Sequence, residues 1–177
     1  MMKKNLLVVI DFQNDCVDGA LGFPKAQAID KKIASKINDY RSKGYDVLFT
    51  YDTHYENYLE TQEGKKLPVP HCIYGTFGHD IYGLTKATMK DEDKKIIKTV
   101  FGSKELGFYL EQNKYEKIEF VGVVTNICVI SNVVIARTFS QESAIVVDCS
   151  CVASNDDSLN NKCLDVLESL QVELLNR

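Results

Sequence analysis

The chain has no tryptophan, and only three prolines and three histidines among 177 residues. None of its six cysteines forms a Cys-x-x-Cys pair. That absence excludes a zinc ribbon and a thioredoxin-like dithiol motif. No apolar run approaches the length that crosses a bilayer. The stretch Leu6-Leu7-Val8-Val9-Ile10, behind Met1-Met2-Lys3-Lys4, is too short for a secretion signal and is cut off by Asp11. Charge is not lopsided: 21 Lys and Arg face 25 Asp and Glu, a formal net charge of -4 with the signs interspersed. No basic stripe marks a nucleic-acid partner, and no polybasic run marks a membrane surface. A cytoplasmic location with reduced thiols is the expectation. The ordinary reading of any single cysteine is a small buried apolar residue.

A hydrophobic fraction of 45% supplies a sizeable core, and the length suits one domain over residues 1–177. Strand-like and helix-like segments alternate. Strands are expected at residues 6–10, 46–51, 95–99, 118–124 and 144–147, with a short sixth at 172–175. A helix is expected from Pro24, with Ile29, Ile33, Ile37 and Tyr40 on one stripe and Gly44 at C′. Others are expected from Ser103 or Lys104 to about Asn113, and after Thr125 with Ile130, Val133, Val134 and Arg137. A last helix starts near Ser154, capped by Ser154 and Asp157, with the stripe Leu159, Cys163, Val166 and Leu170. This alternation predicts an α/β fold: a Rossmann-like three-layer α/β/α sandwich with a mainly parallel sheet of five to six strands. Residues 52–79 show no period and form a long loop rich in Tyr, Gly and Pro. Ordered loops of that length are usually functional.

Polar residues gather where such folds bind ligands, beyond the carboxyl ends of the strands. Asp11 follows the first strand, Asp52 follows the second, Lys98 ends the third and Cys128 lies just after the fourth. Cys128 sits where strand turns into helix, so backbone N–H groups and the helix dipole favour a thiolate there. Asp11 suits the base that such a thiol needs, and Lys98 can hold and tune that carboxylate. Asp52 and His54, two apart in an extended segment, face one way, and His71 returns to them from the far end of the loop. Two imidazoles and a carboxylate suit a divalent ion, Zn²⁺ first, with Fe²⁺ or Mn²⁺ as alternatives. Glu63 is a further candidate ligand. His79 and the pair Asp156-Asp157 read as structural.

Together these motifs resemble the isochorismatase-like cysteine hydrolases, and within them the nicotinamidases. The resemblance runs from Leu6 to about Asp148. Its main pieces are Asp11-Phe12-Gln13-Asn14-Asp15, Asp52-Thr53-His54, His71 to Thr76, Lys98-Thr99-Val100-Phe101 and Gly122 to Cys128. It implies a catalytic triad of Asp11, Lys98 and Cys128. Nicotinamide would become nicotinate and ammonia through a thioester, as in NAD salvage. It also implies a cis peptide at Val123–Val124 and an oxyanion hole from the N–H groups of Val124 and Cys128. The metal ligands would be Asp52, His54 and His71, with Glu63 as a fourth. Phe12, Gln13, Phe101 and Val124 would bind the substrate. Many members have Phe where Cys16 stands and Trp just before the His71 segment, where this chain has Leu67-Pro68-Val69-Pro70. Phe12, Phe101, Tyr55, Tyr58 and Tyr74 are the candidates to wall the pocket instead.

The expected partner is a small carboxamide, with neither nucleic acid nor membrane, and a homo-oligomer stays open. One rival is a related cysteine amidohydrolase, with or without metal, acting on another small amide or ureido compound. The other is a non-catalytic metal-binding protein of the same fold. A redox role for Cys128 or Cys72 would need a resolving thiol, which the spacing along the chain does not offer.

Overall fold

The computed structural model describes residues 5–177; residues 1–4, the charged opening weighed above as a leader, lie outside them. Six strands form one sheet: β1 (Asn5–Ile10), β2 (Asp46–Asp52), β3 (Lys94–Lys98), β4 (Lys117–Val123), β5 (Ala144–Ala153) and β6 (Glu173–Leu175). Their order is β3-β2-β1-β4-β5-β6, and every neighbouring pair runs parallel. The helices are α1 (Asn14–Val17), α2 (Pro24–Ser42), α3 (Gly83–Ala87), α4 (Lys104–Gln112), α5 (Ile130–Phe139) and α6 (Asp157–Ser169). No helix among the described residues is long and apolar enough to cross a membrane.

Period-two alternation along the strands creates the layers. Leu6, Val8, Ile10, Ile118 and Phe120 point to one face and pack with Leu106, Leu110, Val133, Leu164 and Leu167 of α4, α5 and α6. Leu7, Val9, Phe49, Val121 and Val123 point to the other and pack with Ala26, Ile29, Ile33 and Ile37 of α2. The sheet is covered on both sides, which is why β1 reads as an unbroken apolar run. The expected three-layer sandwich is therefore the fold, with six strands.

Chain direction sets where the site lies. The chain steps outward from β1 to β2 to β3, then returns to lay β4 on the opposite side of β1. Strand order reverses between β1 and β4, and a crevice opens there beyond their carboxyl ends. At that point Ile10 pairs with Gly122. Gly122 has φ +115, and a Cβ there would stand 2.1 Å from the Ile10 carbonyl oxygen. Only glycine lets the two strands meet this closely.

Three expectations need correction. The last helix is capped by Asp156, whose side chain accepts from Leu159 N–H; Ser154 instead accepts from Asp156 N–H. Its buried side chains are Cys163, Leu164 and Leu167, while Leu159, Val166 and Leu170 are exposed. Leu164 and Leu167 lie one position beyond the expected Cys163 and Val166, a face that heptad-like counting from Leu159 misses. The fifth strand continues to Ala153 past an irregularity: Phe120 pairs with Val147, but Gly122 pairs with Val152. The polar Asp148-Cys149-Ser150 segment marks that bulge and ends the apolar run from which the shorter strand was read.

Candidate active site

Four polar side chains meet in the crevice. Asp11 directly follows β1 and is buried, with φ +45, in the left-handed region that Asp tolerates better than most residues. Thr50 fixes it twice: its hydroxyl donates to Asp11 Oδ1 at 2.7 Å and accepts from Asp11 N–H at 3.1 Å. Lys98, the last residue of β3, places Nζ 2.6 Å from Asp11 Oδ2, 3.2 Å from Asp52 Oδ1 and 3.6 Å from Cys128 Sγ. Asp11 Oδ2 is held by the Lys98 ammonium, and the Asp11 carboxyl also reaches the Cys128 thiol.

Cys128 lies in a π-helical turn, Thr125–Val129, that enters α5. The Val123–Val124 peptide before it is cis, where the resemblance places it. The Val124 carbonyl accepts from the N–H groups of Ile127 and Val129, which closes the turn around Cys128. Asn132, fully buried one turn later, donates to the carbonyls of Cys128 at 2.8 Å and Phe101 at 2.9 Å, and accepts from Ser103 N–H at 3.0 Å. One amide thus ties the cysteine turn to the loop after β3.

Burial dominates the ionisation of this group. It pushes the Cys128 thiol well up, Asp11 adds to that, and Lys98 opposes it. Burial likewise raises Asp11 against the pull of Lys98. For Lys98 burial alone would act downward, but Asp11, Cys128 and Asp52 outweigh it and hold the ammonium charged. Burial thus opposes the charged forms of both the Cys128 thiol, against the thiolate expected from its place at a helix start, and the Asp11 carboxyl, while the Lys98 ammonium is the charge its neighbours favour.

The second cluster shares Asp52. Its Oδ2 lies 3.1 Å from His54 Nε2 and 3.4 Å from His71 Nε2. All three residues are buried, and their ligand atoms lie within 4.8 Å of one another. His71 Nδ1 is bonded to the Val69 carbonyl at 2.8 Å, which directs the Nε2 lone pair into the cluster. Two imidazoles and one carboxylate around open space fit a divalent ion. Glu63 Oε1 stands 3.8 Å from each imidazole Nε2, outside the tight trio but beside it.

The Asp11–Asp15 motif holds the long loop in place. Gln13 Nε2 donates to the carbonyls of Asp52 and His79, both at 2.9 Å, and its Oε1 accepts from Asp52 N–H at 2.8 Å. Asn14 donates to the Phe77 carbonyl at 2.7 Å. Asp15 Oδ2 accepts from Cys72 N–H at 2.8 Å. His79, expected to be structural, bonds the Thr53 hydroxyl at 2.8 Å.

A cavity of about 80 Å³ joins the two clusters; Asp11, Asp52, Glu63, His71 and Cys128 line it with Val124, Phe101, Cys16, Leu21, Leu67 and Ile127. Phe101 and Val124, which the resemblance implies for substrate, line this cavity. Phe12 and Gln13 do not: Phe12 is fully buried in the α2-side core, edge-on to Tyr82, and Gln13 is spent on backbone. Tyr55 and Tyr74 are exposed and pair with each other, while Tyr58 packs edge-on against both imidazoles. Leu67 and Cys16 line the cavity themselves. Sequence reasoning missed Thr50 and Asn132. Each is a polar residue inside an apolar element, and that was their only signal.

Known proteins share the family pattern and the fold. The isochorismatase domain matches residues 5–175. An uncharacterized isochorismatase family protein of Bacillus subtilis is 31% identical over 163 residues, covering 85% of this chain and 87% of that protein. The structure of a pyrazinamidase/nicotinamidase from Streptococcus mutans superposes with a TM-score of 0.87 at 27% identity, covering 97% of this chain and all of the other. A pyrazinamidase of Pyrococcus horikoshii, solved in complex with zinc, shares the fold with a TM-score of 0.85 at 22% identity, covering 98% of this chain and 99% of the other.

Proposed function

This chain belongs to the isochorismatase family, and we propose that within it the chain is a metal-assisted nicotinamidase that uses Cys128 as its nucleophile. At the coarser level it is an amidohydrolase that acts on C–N bonds of small amides, of the nicotinamidase/pyrazinamidase kind. One observation carries the finer reading. Asp52 faces Lys98 with Oδ1 and the two imidazoles with Oδ2, so the thiol group and the ion-binding trio share one carboxylate and open on one cavity. A single small molecule can touch both ends.

Asp52, His54 and His71 would hold the ion, with Glu63 as an outer partner. When bound, it supplies a Lewis-acidic anchor for a heteroaromatic ring nitrogen. Zn²⁺ suits the donor set best. Phe101 and Val124 flank the ring. Cys128 Sγ attacks the amide carbon as its proton passes to the Asp11 carboxylate, with which the thiol is in hydrogen-bond contact. The N–H groups of Val124 and Cys128 receive the oxyanion. Asp11 then gives that proton to the departing ammonia, takes another from the water that attacks the thioester, and returns it to the Cys128 sulfur as the C–S bond breaks. Lys98 stays charged throughout and keeps the carboxylate in place.

The test is ammonia release from nicotinamide, measured on metal-stripped protein before and after Zn²⁺ is restored. Restored activity is expected. A protein that hydrolyses aliphatic amides equally well, with or without the ion, would favour the related amidohydrolase instead.

A further inference from the structure

Two thiols outside the Asp11–Lys98–Cys128 group face each other, one on the cavity wall and one buried behind it. Cys16 Sγ lies 3.5 Å from Cys72 Sγ, and both are free. Fifty-six positions separate them in the chain, so spacing alone conceals the pairing. Cys16 lines the cavity with His71 and Cys128, so a small molecule that reaches the nucleophile also reaches Cys16. Cys72 is fully buried.

Cys72 is also the backbone support of the ion-binding histidines. It follows His71 directly and has φ +46. Its carbonyl accepts from His54 N–H at 3.0 Å, and Asp15 Oδ2 holds its own N–H. A displacement of Cys72 is therefore felt at His54 and His71 together.

We propose that Cys16 and Cys72 are a modification site: a hydroperoxide entering the cavity converts them to a disulfide, and this loosens the divalent-ion site. The Cys16 sulfur attacks the peroxide, forming an S–O bond and breaking the O–O bond. The thiol proton leaves with the displaced oxygen as water or an alcohol. The Cys72 sulfur then attacks the sulfenic sulfur; the S–S bond forms, the S–O bond breaks, and hydroxide leaves with the Cys72 proton as water. Two thiols lose two electrons and the peroxide gains them. The sulfurs must close from 3.5 Å to about 2.0 Å, which pulls the peptide between His71 and Ile73 toward α1. The consequence for the ion rests on the metal reading above; the disulfide does not.

The experiment uses Cys128→Ser protein, so that the nucleophile neither consumes peroxide nor adds a signal. Hydrogen peroxide treatment, alkylation and peptide mapping should recover a Cys16–Cys72 cross-link that dithiothreitol reverses. Zn²⁺ affinity, read by competition with a chromophoric chelator, should fall at least tenfold in the cross-linked form. Adding Cys72→Ser should abolish the cross-link, and peroxide should then leave Zn²⁺ affinity at its untreated value. The proposal is overturned if Cys16 and Cys72 stay open to alkylation, if the cross-linked protein binds Zn²⁺ unchanged, or if Cys72→Ser protein loses affinity to peroxide as well. Reduced protein that binds no Zn²⁺ refutes the metal reading and the coupling together, while the peptide map still decides the disulfide. Lack of ammonia release by the wild type touches only the amidase reading.

Discussion

On the proposed reading Cys128 carries the chemistry and Asp52 the binding at the residue scale, and substitution of Cys128 should separate the two. Cys128→Ala removes the sulfur without disturbing the Asn132 contact, which is made to the Cys128 backbone carbonyl. Ammonia release should fall to background while Zn²⁺ binding stays at the wild-type value; retained turnover would end the thioester route. Thr50 offers a finer probe. Its hydroxyl makes two hydrogen bonds to Asp11, one to the carboxylate and one to the backbone, beside the Lys98 contact. Thr50→Val keeps the shape and removes both. Because a hydrogen bond to a charged group contributes about 1.5–3 kcal/mol, kcat should drop on the order of ten- to hundredfold, with KM nearly unchanged. Thr50→Ser should recover most of the loss. Equal damage from both variants would mean that Thr50 only packs.

At the scale of elements, the segment after β1 works as a clasp. Gln13 satisfies three buried backbone groups, two on Asp52 and one on His79, and fixes the end of β2 that carries Asp52. Gln13→Leu would leave those groups unpaired, at a cost on the order of 3 kcal/mol. Zn²⁺ affinity should fall with stability, and chemical denaturation paired with metal titration would measure both. Unchanged affinity would show that the loop is held elsewhere. This element also shows what the sequence made legible. Apolar periodicity revealed β1, β2, β4 and α2, and the chemistry of Asp11, Asp52, His54, His71, Lys98 and Cys128 revealed one crevice, because strand ends must share an edge of the sheet. It did not distinguish a side chain that faces substrate from one that faces backbone, hence the misplacing of Phe12 and Gln13. The buried face of α6 was misread because two apolar stripes share Cys163, and only packing against the sheet selects Leu164 and Leu167. The Cys16–Cys72 contact depends on how a long loop folds back, which no local pattern records.

Across the whole molecule, one buried ionic cluster joins α2, β4 and β5 on the face opposite α4, α5 and α6. Lys36 of α2 reaches Glu119 of β4 at 2.5 Å and Asp148 of β5 at 2.6 Å. Tyr40 and Lys117 also bond Glu119, and Ser150 and Asn176 bond Asp148. Burial alone would raise both carboxyls, but these partners outweigh it: Glu119 is lowered, and Asp148 is lowered to about 2. A carboxyl depressed in the folded state contributes stability that is present above its unfolded pKa, near 4, and lost as pH falls through its folded value. Lys36→Met therefore has a signed prediction. At neutral pH it leaves two buried carboxylates short of a cation. The cost should be on the order of 2 kcal/mol, below the 3–5 of a fully buried pair, because the Lys36 side chain is 19% exposed. Below about pH 4 the carboxyls begin to take up protons, most readily in the variant, and the cation matters less. The difference in Tm between wild type and Lys36→Met should thus be widest near neutrality and shrink toward pH 2, while titration common to both proteins cancels in the subtraction. A difference that stays constant with pH would mean that Lys36 stabilises the α2–sheet interface by packing its stem rather than by its charge.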